Sequence, residues 1–215
     1  IRRPPRSTHC ISSAASDVYK RQILGVCRRC CFTHRGHPMN EETEIFDIVD
    51  EHDEVIGSAS REEVHRKGLK HRSVHLLVFN RKGEVLLQKR SMQKDTFPDT
   101  WDSTVSGHVD SGEDYDQSVI RESIEEMGIE FDSVPEKMFK ITACEETGQE
   151  FCWIYCHHHD GPFSPNEDEI SEVRWFSPEE LENLPLQDSS IFSPAFSLIW
   201  RMLMRDSESD SSMQT

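Results

Sequence analysis

The chain has 215 residues, with 24 Lys and Arg against 40 Asp and Glu and a formal net charge of −16. That length suffices for one ordinary domain with a sizeable core, and no stretch approaches the ~20 consecutive apolar residues of a membrane-spanning helix. The acidic balance argues against nucleic acid as a non-specific partner, which needs a basic footprint, and leaves room for a small phosphorylated ligand whose charge a divalent cation can screen.

In chain order, positions 1–38 differ in kind from the rest. They carry eight basic residues (Arg2, Arg3, Arg6, Lys20, Arg21, Arg28, Arg29, Arg35), one acid (Asp17) and four of the seven cysteines, Cys10, Cys27, Cys30 and Cys31. A transit peptide would show a clearer apolar core and cleavage site. Cys27, Cys30, His34 and His37 leave too short a loop for a zinc module. The run IRRPPRSTHCISSAASDVYKRQ resembles translated sequencing-adapter read-through. Residues 1–38 therefore read as a non-native or disordered leader, 39–206 as the domain, with Met39 as its natural start, and 207–215 as a polar, disordered tail. Cys144, Cys152 and Cys156 make no disulfide framework, which fits a reducing cytoplasm.

Residues 45–50 and 54–57 read as a hairpin around Glu51-His52-Asp53, and Ser60 with Glu63 has capping-box spacing for a short helix through His65. The continuous apolar run 73–79 predicts a buried strand, Asn80-Arg81-Lys82-Gly83 a turn and 84–89 its partner strand. An aromatic loop follows at 97–101, then a short strand over 104–106 that stops at Gly107. Residues 114–127 predict a helix with Val119, Ile120, Ser123, Ile124 and Met127 inward and Gly128 as its stop. Strands are expected at 137–143, 151–157 and 172–176, a helix from Ser177-Pro178, and a final amphipathic helix over 193–204. His157-His158-His159 precedes Asp160-Gly161-Pro162 and reads as a surface turn.

The chemistry lies in one spaced set, Gly107, Glu113, Arg121, Glu122, Glu125, Glu126, Gly128 and Ile129. On a helix, carboxylates three and four residues apart converge on one face, and like charges there are destabilising. No Lys interrupts 114–127, so something cationic must compensate. A hard divalent ion with oxygen ligands fits, because Mg²⁺ keeps waters that leave room for phosphate oxygens. Arg121 can hold a neighbouring carboxylate in one rotamer, and Gly107 lets backbone approach closely, its carbonyl a further ligand. A solvated face is the bland reading of any single glutamate, but eight positions match one pattern across 23 residues.

Residues 107–129 resemble the Nudix box, the signature of Nudix hydrolases; Ser123 departs from the bulkier aliphatic residue usual there. The resemblance implies an α/β fold, a mixed sheet sandwiched between helices with the box as loop–helix–loop. It implies a metal-dependent hydrolase cleaving a diphosphate linkage in a nucleoside diphosphate derivative or related small organic diphosphate. Carried over by position, Glu122, Glu125 and Glu126 bind Mg²⁺ or Mn²⁺ and Glu113 adds a ligand. Glu122 is the first choice of general base, with Glu169 and Glu172 as loop alternatives. A small-molecule diphosphate is the expected partner, with no nucleic acid or membrane and a homodimer as the prior expectation for oligomeric state.

The stretch 97–108 is also similar to the isopentenyl-diphosphate isomerase branch. Those isomerases carry a proton-transferring cysteine where this chain has Ser106, and a proline where it has Val109. A hydroxyl is a far weaker acid than a thiol, and the hydrolase box is intact, so hydrolysis is favoured over isomerisation and over a catalytically silent ligand sensor. In the isomerases the residue matching His108 joins other histidines and acids at a metal. Here the simpler expectation for His65, His71 and His108 is partly buried, hydrogen-bonded histidines, with His108 lining the substrate pocket. Trp101, Phe97 and Trp153 either stack on the ligand or pack in the core and its loops.

Overall fold

The computed structural model describes residues 44–212. The leader, Met39, the cysteine–histidine run within 27–37 and residues 213–215 lie outside the described residues. The order is β1 (Ile45–Val49), β2 (Val55–Ser60), α1 (Arg61–Lys67), β3 (His71–Phe79), β4 (Val85–Arg90), β5 (Trp101–Asp102), β6 (Val105–His108), α2 (Tyr115–Met127), β7 (Glu136–Ile141), β8 (Glu150–His158), β9 (Ile170–Phe176), α3 (Pro178–Asn183) and α4 (Pro194–Ser212).

β1 and β2 form an antiparallel hairpin. The other seven strands make one mixed sheet centred on β3. β3 pairs parallel with β8, His71 opposite Glu150, and antiparallel with β6, Val74 opposite Gly107. Both faces of β3 are covered, which explains its unbroken apolar run in place of strict alternation. Val74, Leu76 and Val78 pack with Val119 and Met127 of α2, while Leu77 packs with Phe196 and Trp200 of α4. The result is the expected helix–sheet–helix sandwich.

Local signals work as their chemistry dictates. Ser60 Oγ accepts the Glu63 N–H at the start of α1, and Ser177 Oγ accepts that of Glu180 at α3, with Pro178 in the first turn. Asp114 proves to be the N-cap of α2, in a reciprocal capping box with Gln117. Gly128 closes that helix at φ 65°, where a β-carbon would also meet Ser164 at 2.9 Å.

Two readings within 104–129 change. β6 does not stop at Gly107; it continues to His108, because a residue without a side chain is what lets a strand pass beneath a close neighbour. Ile124 does not face inward and is 47% exposed. Val119, Ser123 and Met127, spaced by four, take the sheet face, and one further residue rotates Ile124 out toward solvent. Ser123 is fully buried and satisfies its hydroxyl on the Val119 carbonyl at 2.6 Å, which is how a small polar residue fills an aliphatic position. α4 runs on to Ser212, into the segment whose composition suggests disorder.

Candidate functional site

β6 brings the box together. Gly107 lies where a β-carbon would sit 2.1 Å from the Glu122 carboxyl carbon, so only glycine leaves room for that side chain. One residue earlier, the Ser106 N–H donates to Glu126 Oε2 at 3.0 Å, and Gln88 Nε2 of β4 donates to the same oxygen at 3.0 Å. One residue later, the His108 carbonyl accepts from Arg121 Nη2 at 3.0 Å.

Arg121 is the organiser of this face. Its Nη1 donates to Glu122 at 2.7 Å and to Glu125 at 3.1 Å, while Nε and Nη2 fork onto Glu113 at 2.9–3.2 Å. So dense a carboxylate shell holds its guanidinium well above the ordinary arginine range, against the burial that opposes it. Ser118 Oγ takes up Glu113 as well, at 2.7 Å. Of the two further expected ligands, Glu113 is paired with Arg121 and Ser118, and Gly107 lies against Glu122.

Glu122 and Glu126 are mostly buried, and their carboxyl groups are pushed above the usual carboxylate range, by burial first and by like charges second. Glu169 adds to that pressure on both. It stands in the loop before β9, its Oε2 held by Lys94 Nζ at 2.6 Å and its Oε1 by Asn166 at 3.1 Å. Glu172, the other loop alternative, lies inside β9 and is exposed, because β9 begins two residues earlier than expected. Among the described residues, Arg121 pairs with Glu113, Glu122 and Glu125, and Lys94 with Glu169, while Glu126 is in no ion pair. The surplus of buried negative charge fits a hard divalent cation held by Glu122, Glu125 and Glu126.

Trp101 is not brought to the glutamates. It sits edge-on to Phe176 at 5.0 Å with the Arg174 guanidinium 5.7 Å from its ring centroid, on the α4 side of the sheet. Trp153 packs beside the α2 core. Phe97 is 46% exposed with φ 46°, on the loop that carries Lys94.

His65, His71 and His108 do gather, and Glu150 joins them: one ligand atom from each lies within 4.8 Å of every other. His108 Nε2 is 3.3 Å from His65 Nε2 and 3.3 Å from Glu150 Oε1. Phe46 stacks on both His71 and His108 and closes the cluster from the hairpin side. Hydrogen bonds to His65, His71 and His108 match the simpler expectation except at one buried ring atom. His71 Nδ1 is 2.9 Å from the Leu69 carbonyl, which can only accept, so Nδ1 carries a proton. Its buried Nε2 has no hydrogen-bond partner and faces Glu150 Oε1 at 3.4 Å. Burial lowers His65 to about 4 and lowers His108 despite the pull of Glu150, so these imidazoles are neutral at pH 7. Glu150 is held well below the carboxylate range: burial acts to raise it, and His108 and His71 outweigh that.

Lys94, Gln88 and Glu150 were not singled out by the sequence reading. Gln88 had a visible signal, a polar residue ending the apolar run Val85-Leu86-Leu87. Lys94 and Glu150 had none, since each meets its partners only through sheet pairing and loop placement.

A family model for the NUDIX domain matches residues 69–194. The uncharacterized Nudix hydrolase YfcD of Escherichia coli (strain K12) is 39% identical over 142 residues, covering 65% of this chain and 77% of that protein. The uncharacterized Nudix hydrolase PA4841 of Pseudomonas aeruginosa is 33% identical over 160 residues, 73% of this chain and 94% of that one. The crystal structure of DR0079 from Deinococcus radiodurans superposes with a TM-score of 0.65 at 28% identity, over 74% of this chain and 98% of that chain. With its box folded around buried glutamates, the chain belongs to the Nudix family and is a Nudix-type, metal-dependent pyrophosphohydrolase.

Proposed function

We propose that this pyrophosphohydrolase cleaves a nucleoside diphosphate derivative or a related small organic diphosphate, with Mg²⁺ or Mn²⁺ held by Glu122, Glu125 and Glu126. The observation that carries this reading is the packing of Glu122 onto Gly107 with Glu126 fixed by the Ser106 N–H and Gln88. Two buried carboxylates are thereby held in place with oxygens left over. A bound divalent ion would neutralise the charge that develops on the diphosphate. Arg121 fixes the rotamers of Glu122 and Glu125, and the raised proton affinity of Glu122 suits it to take a proton from the attacking water. Glu169 is the second choice for that task, and Phe97 and His108 are the substrate-side residues of the reading.

Ser106 argues against the isomerase alternative, since its backbone is spent on Glu126 and its hydroxyl cannot replace a thiol acid. The close gathering of four ligand atoms, with the buried His71 Nε2 left without a hydrogen bond, favours a second, borderline-soft cation such as Zn²⁺ or Mn²⁺ at His65, His71, His108 and Glu150. The three cysteines among the described residues are free, consistent with the proposed reducing cytoplasm. No helix among the described residues is long and apolar enough to cross a membrane.

A panel of nucleoside, isoprenoid and cofactor diphosphates incubated with Mg²⁺ tests the reading by the phosphorylated products released. Glu125→Gln is expected to lose at least about 10²-fold in kcat. Undiminished turnover in that variant, or alkene isomerisation without hydrolysis, refutes it.

A further inference from the structure

We propose that Lys94 is a built-in counter-cation of the carboxylate site, holding Glu169 until a divalent ion takes its place, so that Lys94 sets how tightly the site binds metal. This rests on the functional reading above and adds a positioning residue to it.

Lysine normally keeps its ammonium in water, yet the Lys94 side chain is only 17% exposed and its Nζ lies 2.6 Å from Glu169 Oε2. The loop around it is anchored on both sides. The Ser91 N–H donates to the Glu169 carbonyl at 2.8 Å, the Lys94 N–H to the Ser91 carbonyl at 3.2 Å, and the adjacent Asp95 is gripped by Arg61 Nη2 at 3.1 Å. Asn166 fixes the other half of Glu169, and its own N–H donates to the Glu126 carbonyl at 2.8 Å, which ties the Glu169 loop to the box helix.

The two cations of the site are therefore unequal. Arg121 is locked by Glu113, Glu122, Glu125 and the His108 carbonyl. Lys94 is held by one carboxylate oxygen, and its charge reaches Glu126. A divalent ion arriving at Glu122, Glu125 and Glu126 meets this ammonium as a like charge, and Lys94 is the partner that a single broken ion pair releases. Exchange of Lys94 for the metal frees Glu169 Oε2 to turn toward the cluster.

Mn²⁺ binding to the full chain without substrate, followed by electron paramagnetic resonance, tests this. The readout is the component lost in Glu125→Gln. Lys94→Met and Lys94→Gln are expected to bind Mn²⁺ about three- to tenfold more tightly, because a like charge within several ångströms is gone. Lys94→Arg, which keeps the charge, is expected to match the wild type. Unchanged or weaker affinity in both neutral variants would mean that Lys94 merely fixes the loop, and overturns the proposal. A wild-type chain with no Mn²⁺ component sensitive to Glu125→Gln would sink the functional reading, and this inference with it.

Discussion

Gly107 and Glu122 occupy space that no larger pair could share: a β-carbon on residue 107 would fall 2.1 Å from the Glu122 carboxyl carbon and 2.5 Å from its Oε1. Glu122 cannot keep its pairing with Arg121 if that space is filled. Gly107→Ala is therefore expected to fold, since the side chain can swing aside, and to lose about 10²-fold in kcat from misplacement of a site carboxylate. Steady-state kinetics beside a melting curve check this; normal turnover would show that the close approach does not matter.

Glu126 is a fully buried carboxyl whose ionisation burial disfavours, so it stores destabilisation in the metal-free chain. Glu126→Gln keeps an acceptor for the Ser106 N–H and removes the charge. In a chelator, its melting temperature is expected to rise by about 2–4 °C for each kcal/mol gained, while Mg²⁺-dependent hydrolysis is lost. A lowered melting temperature would contradict the view that this charge is kept for function at the expense of the fold.

How much of this was legible beforehand follows from the range of the interactions. Glu122, Glu125 and Glu126 declared themselves by spacing on one helix, and Ser60 and Ser177 by capping chemistry, all set within a few residues. The partners of those groups were hidden because they arrive across the sheet. Glu150 faces His71 only through the parallel register of β3 and β8, and Gln88 reaches Glu126 from a strand 38 positions away. Trp101 left two readings open for the converse reason: a tryptophan near a box says nothing about which sheet face it takes, and here it packs on Phe176.

The histidine cluster should take up a transition metal independently of the box. Co²⁺ added to the chain is expected to give a visible absorption band that survives Glu125→Gln and disappears in His108→Ala and His71→Ala. His157→Ala, altering a histidine that packs on Phe131 instead, serves as the control. A band indifferent to His71 and His108 would return these residues to a purely structural role.

His75 lies on the same face, 2% exposed, with its Nδ1 3.0 Å from Ser103 Oγ. Burial lowers its pKa below the usual 6.5, outweighing the nearby charge of Asp102. Between the folded value and about 6.5 the unfolded chain binds a proton that the folded chain refuses, so stability rises with pH across that window. Its contribution is complete above about pH 6.5 and is lost progressively on acidification. Urea midpoints measured in chelator from pH 7.5 to 5 should fall, and fall less in His75→Asn. Equal slopes in the two chains would remove His75 as a cause.

β6 has only four residues, and each neighbour has a distinct recipient: the Ser106 amide serves Glu126, the Gly107 gap admits Glu122, and His108 gives its carbonyl to Arg121 and its ring to the histidines. Because side chains alternate along a strand, one inserted or deleted residue would exchange the two faces at a stroke. Neither the box glutamates nor the histidine cluster can be retuned through this strand without disturbing the other, and a change of length is tolerated better in the loops that flank it.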